Sequence, residues 1–318
     1  MTAAVRLLGL TKRYGSTLAV AGVDLEIGVG EIFGLVGPNG AGKTTTLRML
    51  ATLIEPTGGE AEVWGQDVRR RPNTVRRVVG YMPDTFGVYD DMRVWEYLDF
   101  FARLHAIPAN RRATIIGDLL DLVDLGVKRD DYVHALSRGM QQRLCLAHAL
   151  VHDPRVLLLD EPASGLDPRA RAELRELLRE LRRLGKTIVI SSHILPELEE
   201  LCTAVAIVDR GRVLAWGSVD EMHARFGRGS VIQARIIGDR EALQSAEQFF
   251  AAQPEVAGVT TMPDGRLELG LLGGDEASAA LAYRAMSNGH RIASFAPVAS
   301  DLEELFLQIT APLEEYAG

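Results

Sequence analysis

The sequence predicts an α/β fold, a mixed sheet core carrying a helical subdomain, followed by a small α+β domain. Two apolar runs, Val156-Leu157-Leu158-Leu159 and Thr187-Ile188-Val189-Ile190, are continuous rather than alternating. Strands buried on both faces of a parallel sheet have that composition. Between them Leu174, Leu177, Leu178, Leu181 and Leu184 recur at helical spacing, so strand and helix alternate. After about residue 230 the strands weaken and become alternating.

Short runs rich in Val, Ile and Leu at Val5–Leu8, Leu18–Ile27 and Glu31–Val36 read as strands separated by glycine turns. The last run ends directly at Gly37, and Thr44–Leu50 suits a helix. Val94, Tyr97, Leu98, Phe101 and Leu104, then Ile115, Ile116, Leu119, Leu120 and Val123, give two further helical faces. Residues from about 86 to 138 are therefore expected to form the helical subdomain. Asp167-Pro168 pairs an N-cap with a first-turn proline, and Gly185 stops that helix. Ala204–Val208 and Arg212–Ala215 flank Asp209-Arg210-Gly211 as a hairpin. The pattern breaks at Phe226–Ser230, so the domains are expected to span residues 1–228 and 229–318. In the second, strands are expected at Val231–Ile237 and Leu267–Leu271, with helical patches near 240–252 and 300–309.

The 318 residues are 47% hydrophobic and 25% charged, enough apolar material for a core in each domain. A net charge of −8 gives no general electrostatic reason to bind nucleic acid. The run Arg69-Arg70-Arg71 reads as a solvated turn before Pro72. Cys145 and Cys202 lie in segments with helical apolar spacing and lack partners at metal-ligand spacing. They read as reduced core residues of a cytosolic protein. Met1–Gly9 lacks the long apolar stretch expected of a signal peptide, and no segment approaches the ~20 apolar residues of a membrane span.

The chemistry concentrates at Gly37-Pro38-Asn39-Gly40-Ala41-Gly42-Lys43-Thr44-Thr45. Its glycines let several backbone N–H groups converge on a phosphate, backed by a helix N-terminus. Lys43 would contact the β- and γ-phosphates of ATP, and the Thr44 hydroxyl would hold Mg²⁺. The strand-end pair Asp160-Glu161 supplies a second Mg²⁺ ligand in Asp160. Glu161 is placed to accept a proton from an attacking water, which favours hydrolysis over kinase chemistry.

Ala135-Leu136-Ser137-Arg138-Gly139-Met140-Gln141-Gln142-Arg143-Leu144 resembles the signature motif of ABC-type ATPases, usually LSGGQ followed by QR. Ser137 and Gly139 occupy matching positions, while Arg138 and Met140 depart from the commonest form. The resemblance runs in family order over residues 1 to about 225. It implies that Tyr14 stacks on adenine, that Ser164–Asp167 is the D-loop, and that His193 meets the γ-phosphate. Asp167 also reads as a helix cap. Gly80-Tyr81-Met82-Pro83-Asp84 is similar to the Q-loop, with Asp84 standing where Gln is usual. Asp84 can still coordinate the metal through water.

In that family Ser137 and Gly139 cap the γ-phosphate held by the opposite subunit. One motif set per chain therefore implies a homodimer sandwiching ATP. Val78–Asp91, Ser191–Glu200 and Leu302–Phe306 are similar to ATP-binding subunits of ABC-2-type exporters, including the daunorubicin-resistance type. That resemblance implies a separate membrane permease, contacted by Phe86–Trp95, that exports a small molecule or a lipid or polymer. It places the chain peripherally on the cytoplasmic face of the membrane. A soluble ABC ATPase acting on ribosomes or DNA lacks its usual tandem cassettes, coiled coils or basic arms here. A non-catalytic nucleotide-gated scaffold is opposed by the intact Lys43, Asp160, Glu161 and His193.

Overall fold

A computed structural model describes residues 3–85, 87, 91–226, 230–273 and 275–298. It comprises two compact units, Met1–Val219 and Asp220–Gly318. The first contains β1 (Ala3–Tyr14), β2 (Thr17–Gly28), β3 (Ile32–Val36), α1 (Lys43–Leu50), β4 (Gly58–Val63), β5 (Gln66–Asp67), α2 (Pro72–Val78) and β6 (Val79–Met82). The helical segment holds α3 (Val94–Leu104), α4 (Ala109–Leu122) and α5 (Arg138–Leu150). The chain then returns through β7 (Val156–Asp160), α6 (Pro168–Arg183), β8 (Thr187–Ser192), α7 (Leu195–Glu199), β9 (Ala204–Asp209) and β10 (Arg212–Ser218).

Six strands form the central sheet in the order β10-β9-β3-β8-β7-β6, parallel except for the β9–β10 hairpin. Every residue of β3, β7 and β8 is buried, which the continuous apolar runs require. The register pairs Val36 with Ser192, Asp160 with Ser191 and Met82 with Leu159. Four strand ends therefore lie side by side, and the segments beginning at Gly37, Glu161, His193 and Pro83 leave from one edge. Parallel α/β sheets bind ligands at this carboxyl edge.

β1 extends well beyond the expected Val5–Leu8, whereas β2 exceeds Leu18–Ile27 by one residue at each end. β1 and β2 each run for 12 residues and, with β4 and β5, make a separate antiparallel sheet, β2-β1-β4-β5. Register shifts between Leu7 and Thr11 interrupt the alternation that marks a strand in sequence. The Arg69–Arg71 run is an exposed turn, with Asp67 Oδ1 accepting from the Arg69 and Arg70 amides at 2.8 Å each. In α6, Leu174, Leu178 and Leu181 are buried, but Leu184 is exposed because it has become the C-cap before Gly185. Both cysteines are free and buried. Cys202 follows α7 rather than lying in a helix, and its packing against Gly34 and Val205 accounts for its burial.

The helical segment has its own core, in which Val94, Tyr97 and Leu98 of α3 meet Ile116 and Leu120 of α4 and Leu144 of α5. His148 stacks on Phe101 with ring centroids 3.6 Å apart, and His152 stacks on His105 at 4.0 Å. Burial pushes both His148 and His152 down to about 4.

In the second unit α8 (Val219–Phe226) leads into β11 (Ser230–Ile236), α9 (Arg240–Ala251), β12 (Val256–Thr261), β13 (Arg266–Leu271), α10 (Asp275–Ser287) and β14 (Ile292–Val298). The sheet order is β12-β13-β11-β14, all antiparallel. Leu267, Leu269 and Leu271 point inward on alternate positions and meet Phe250 and Ala246 of α9. Asp239 caps α9 by accepting from the Ala242 amide at 3.0 Å. The expected helix near 240–252 is α9, whereas the patch near 300–309 lies outside the described residues. Among the described residues no helix is long and apolar enough to cross a membrane.

Two stability outcomes follow from this packing. Both histidines titrate lower in the folded chain, so the unfolded chain binds more protons between pH 6.5 and about 4. Stability is therefore lost as pH falls through that window, by on the order of 2–3 kcal/mol for His148. Urea melts of His148→Phe, which keeps a flat ring on Phe101, should show a shallower acid slope than wild type. In the second unit, Phe250→Ala should cost about 3–5 kcal/mol. The three tryptophans, Trp64, Trp95 and Trp216, all precede residue 220. The early transition of Phe250→Ala should thus appear in far-UV circular dichroism and be silent in tryptophan fluorescence.

Candidate functional site

The loop from Gly37 to Gly42 is shaped by what presses against it. Gly37 passes so close to the Val208 carbonyl that a Cβ there would sit 2.0 Å from the oxygen. Gly42 has φ +103 and would meet the Ala19 carbonyl at 2.5 Å, so only glycine fits. The Ala41 carbonyl accepts from the Gly211 amide at 2.9 Å, and the Gly211 carbonyl accepts from Ala21 at 2.8 Å. The β9–β10 turn thereby clamps the loop to β2. Pro38, Asn39 and Gly40 form its rim, and Lys43, Thr44 and Thr45 open α1.

Lys43 is buried and donates to the carbonyls of Gly37 at 2.6 Å and Pro38 at 3.2 Å. Its ammonium lies 3.6 Å from Glu161 Oε1. Burial lowers the Lys43 pKa, while Glu161 and Asp160 oppose that shift.

Asp160 is fully buried at the end of β7. Its Oδ1 accepts from Thr44 Oγ1 at 3.0 Å and from Ser191 Oγ at 2.6 Å. Its Oδ2 is buried with no hydrogen-bond partner. Burial raises its pKa, the hydroxyls of Ser191 and Thr44 lower it, and Asp84 and Glu161 raise it. An orphaned carboxylate oxygen beside a threonine hydroxyl fits Mg²⁺. That ion takes one or two carboxylates and completes its octahedron with phosphate and water. Among the described residues no group of three or more His, Cys, Asp or Glu side chains is arranged to hold a metal ion.

Glu161 follows with φ +48, a left-handed backbone rare for a side-chain-bearing residue. Its Oε2 is 2.9 Å from His193 Nδ1. Lys43, Thr44, Asp160, Glu161 and His193 therefore form one connected group. Asp84 stands beside it, its carboxylate 3.9 Å from Arg48 and its Oδ1 accepting from Thr85 Oγ1 at 3.1 Å. Tyr14, 48% exposed, ends β1, with the Lys12 ammonium 5.1 Å from its ring centroid.

Ser137, Gly139 and Asp167 gather elsewhere. They line a cleft of about 400 Å³ that contains no residue of 37–45. Ser137 caps α5, its Oγ accepting from the Met140 amide at 3.4 Å. Asp167 caps α6, accepting from the Ala170 amide at 2.8 Å. Arg138 folds over Gly165, where a Cβ would meet the guanidinium carbon at 2.6 Å. Arg171 donates to the Leu166 carbonyl at 3.0 Å and pairs with Glu197 at 2.6 Å. This joins the turn before Asp167 to the helix after His193.

Residues 20–164 match the ABC transporter family. The chain is 36% identical over 311 residues to the daunorubicin/doxorubicin resistance ATP-binding protein DrrA of Streptomyces peucetius, spanning 97% of this chain and 93% of that protein. The chain belongs to the ABC transporter ATP-binding family. A Nod factor export ATP-binding protein I from Burkholderia orbicola is 41% identical over 250 residues, 78% of this ABC chain and 82% of the relative. Among solved structures, the dimeric post-hydrolysis ATP-binding cassette MJ0796, bound to ADP and Pi, aligns with TM-score 0.63 and 25% identity. That alignment covers 68% of this chain and 98% of the cassette. As an ABC ATP-binding subunit the chain binds and hydrolyses ATP to power a membrane transporter.

Sequence reasoning missed Gly211, Arg48 and Ser191. Gly211 read only as a hairpin turn, and its role against Ala41 depends on a contact across 170 residues. Arg48 occupies the exposed side of α1, where a cation carries no distinguishing pattern. A serine closing the apolar run of β8 was the one readable signal for Ser191.

Since burial raises the folded pKa of Asp160, its ionisation at neutral pH costs stability, and that cost vanishes below the unfolded pKa. Asp160→Asn should therefore raise the melting temperature of the nucleotide-free ABC subunit at pH 8. The same variant should lose ATPase activity by on the order of 10²-fold. Differential scanning fluorimetry with a phosphate-release assay reads both.

Proposed function

We propose that this subunit binds Mg²⁺-ATP in a homodimer and drives a separately encoded permease that exports a small molecule or a lipid- or polymer-like cargo. The observation that carries the reading is the separation of two groups. Lys43, Thr44, Asp160, Glu161 and His193 meet at one sheet edge, while Ser137, Gly139 and Asp167 line a cleft without any phosphate-loop residue. Each group is half of a nucleotide site, and a second copy supplies the other half.

In this reading the loop amides of Gly37–Thr45 hold the phosphates, with Lys43 on the β- and γ-phosphates. Tyr14 offers its exposed ring to adenine. Thr44 and Asp160 hold Mg²⁺, with Asp84 approaching it through water; the bound ion supplies charge neutralisation of the phosphates. Glu161 accepts the proton of the attacking water, and its contact with His193 Nδ1 keeps the carboxylate oriented. His193 then reaches the γ-phosphate from the same strand end. Ser137 and the Gly139 amide cap that phosphate from the partner copy, and Asp167 belongs to the connecting loop between copies.

The export assignment draws on the printed names of the relatives, one for resistance to daunorubicin and doxorubicin and one for Nod factor export. The permease holds the chain at the cytoplasmic face of the membrane, and Phe86–Trp95 is the segment assigned to that contact. Four of its residues, 86 and 88–90, lie outside the described residues. Residues 1–228 form the motor domain and 229–318 an accessory domain.

Glu161→Gln removes the proton acceptor but retains size and hydrogen bonding. It should slow hydrolysis by about 10²–10⁴-fold and accumulate an ATP-bound dimer. Light scattering with ATP and Mg²⁺ checks the dimer, and Lys43→Ala, which should neither hydrolyse nor dimerise, is the control. A Glu161→Gln protein that stays monomeric with ATP bound would overturn the homodimer.

A further inference from the structure

The buried Ile and Val run of β8 ends at Ser191, whose side chain is fully buried. A hydroxyl there costs free energy unless it is satisfied, and a β-branched apolar residue would suit the strand better. It is satisfied, and both of its bonds go to the hydrolytic group. Its proton is donated to Asp160 Oδ1 at 2.6 Å, and its oxygen accepts from the Glu161 amide at 3.0 Å. The Ser191 carbonyl shares the same Glu161 amide at 3.2 Å. The pairing is built in by register, because Ser191 lies directly opposite Asp160 on the neighbouring strand.

These two bonds have different consequences. The first, with the Thr44 hydroxyl, occupies Oδ1 and fixes which Asp160 oxygen is left over; Oδ2 is the atom with no partner. The second holds the backbone of Glu161 in its left-handed turn at φ +48. That conformation costs of order 1–3 kcal/mol and persists only where surroundings over-determine it. With the turn held, the Glu161 carboxylate spans from Lys43 to His193.

We propose that Ser191 is a positioning residue of the ATPase: one buried hydroxyl sets both the free oxygen of Asp160 that meets the cation and the direction of the Glu161 carboxylate. This rests on the Mg²⁺-dependent ATPase reading above. Ser191 is fully buried, and its hydroxyl acts through its two neighbours, Asp160 and Glu161. His193 lies two residues further along the same chain, so any displacement of that segment is transmitted to Asp160 through this hydroxyl.

The test compares Ser191→Ala, Ser191→Thr and Ser191→Val, since threonine and valine share a shape and differ in the hydroxyl. Two quantities are read: steady-state ATPase, and Mg²⁺-dependent binding of a fluorescent ATP analogue. Loss of a hydrogen bond to a charged group predicts a kcat about 10- to 100-fold lower in Ala and Val. Half-saturating Mg²⁺ in the binding assay should rise about threefold or more, while binding of the analogue in EDTA stays within about twofold. Threonine should restore both. Valine behaving like threonine, or alanine matching wild type in kcat and Mg²⁺ response, would overturn the role. Thermal melts separate misfolding: if alanine does not fold, the threonine–valine pair decides. A wild-type protein without turnover that Lys43→Ala abolishes would instead refute the ATPase reading, and the Mg²⁺ binding curves would still decide Ser191.

Discussion

Register between β3, β8 and β7 is the constraint from which the site descends. Val36 opposite Ser192 and Ser191 opposite Asp160 bring three strand ends level, although the first pair comes from distant parts of the chain. A slip by one residue would turn every side chain of a strand to its other face. All three strands are wholly buried, so the packing on both faces resists such a slip. The phosphate loop, the Asp160–Glu161 pair and the His193 segment need no further device to meet. What remains is to fix side-chain directions, and that falls to short-range bonds: Thr44 and Ser191 on Asp160, and the β9–β10 turn on the loop.

The signature and D-loop residues follow a different logic. Their positions are set by helix termini, with Ser137 capping α5 and Asp167 capping α6. A capping residue sits in extended backbone at a helix entrance and presents its side chain to solvent or to a partner. The same residues can thus stabilise a helix and face a second subunit. Arg171 ties this surface to the first group, holding the Leu166 carbonyl with one nitrogen and Glu197 with another. The ion pair is partly exposed and modest in energy, yet it joins the turn before Asp167 to the helix after His193.

Much of this was legible in the sequence because the core obeys simple rules. Strands buried on both faces announce themselves as continuous apolar runs, and the glycine-rich loop and acidic strand end stood where such runs stop. Legibility failed where composition was ambiguous. α10 is rich in alanine and buries only Leu281 and Ala285 deeply, so it lacks a readable apolar stripe. β12, Val-Ala-Gly-Val-Thr-Thr, has only two partly buried valines, three residues apart, and so no strand-like alternation. Bulges hid the length of β1. In the site, the residue types that carry chemistry were all visible, but their partners were not: the pairing of Asp84 with Arg48 and of Ser191 with Asp160 are properties of packing. Cys202 shows the same limit, since helical spacing and true burial coincide there without a helix.

The guanidinium of Arg138 lying over Gly165 has a consequence for descent. Position 165 has φ +72, a left-handed backbone that favours glycine whatever covers it, and a methyl group there would also require the flexible end of the arginine to swing aside. A chain with a small residue at 138 removes that roof, leaving only the backbone preference to keep glycine at 165. The two positions, 27 residues apart in sequence, are thereby unequal: the arginine can yield by changing rotamer, whereas the backbone at 165 cannot yield without strain. What holds glycine in the turn before Asp167 is thus the handedness of the chain, and the arginine over it is a cover that can lift.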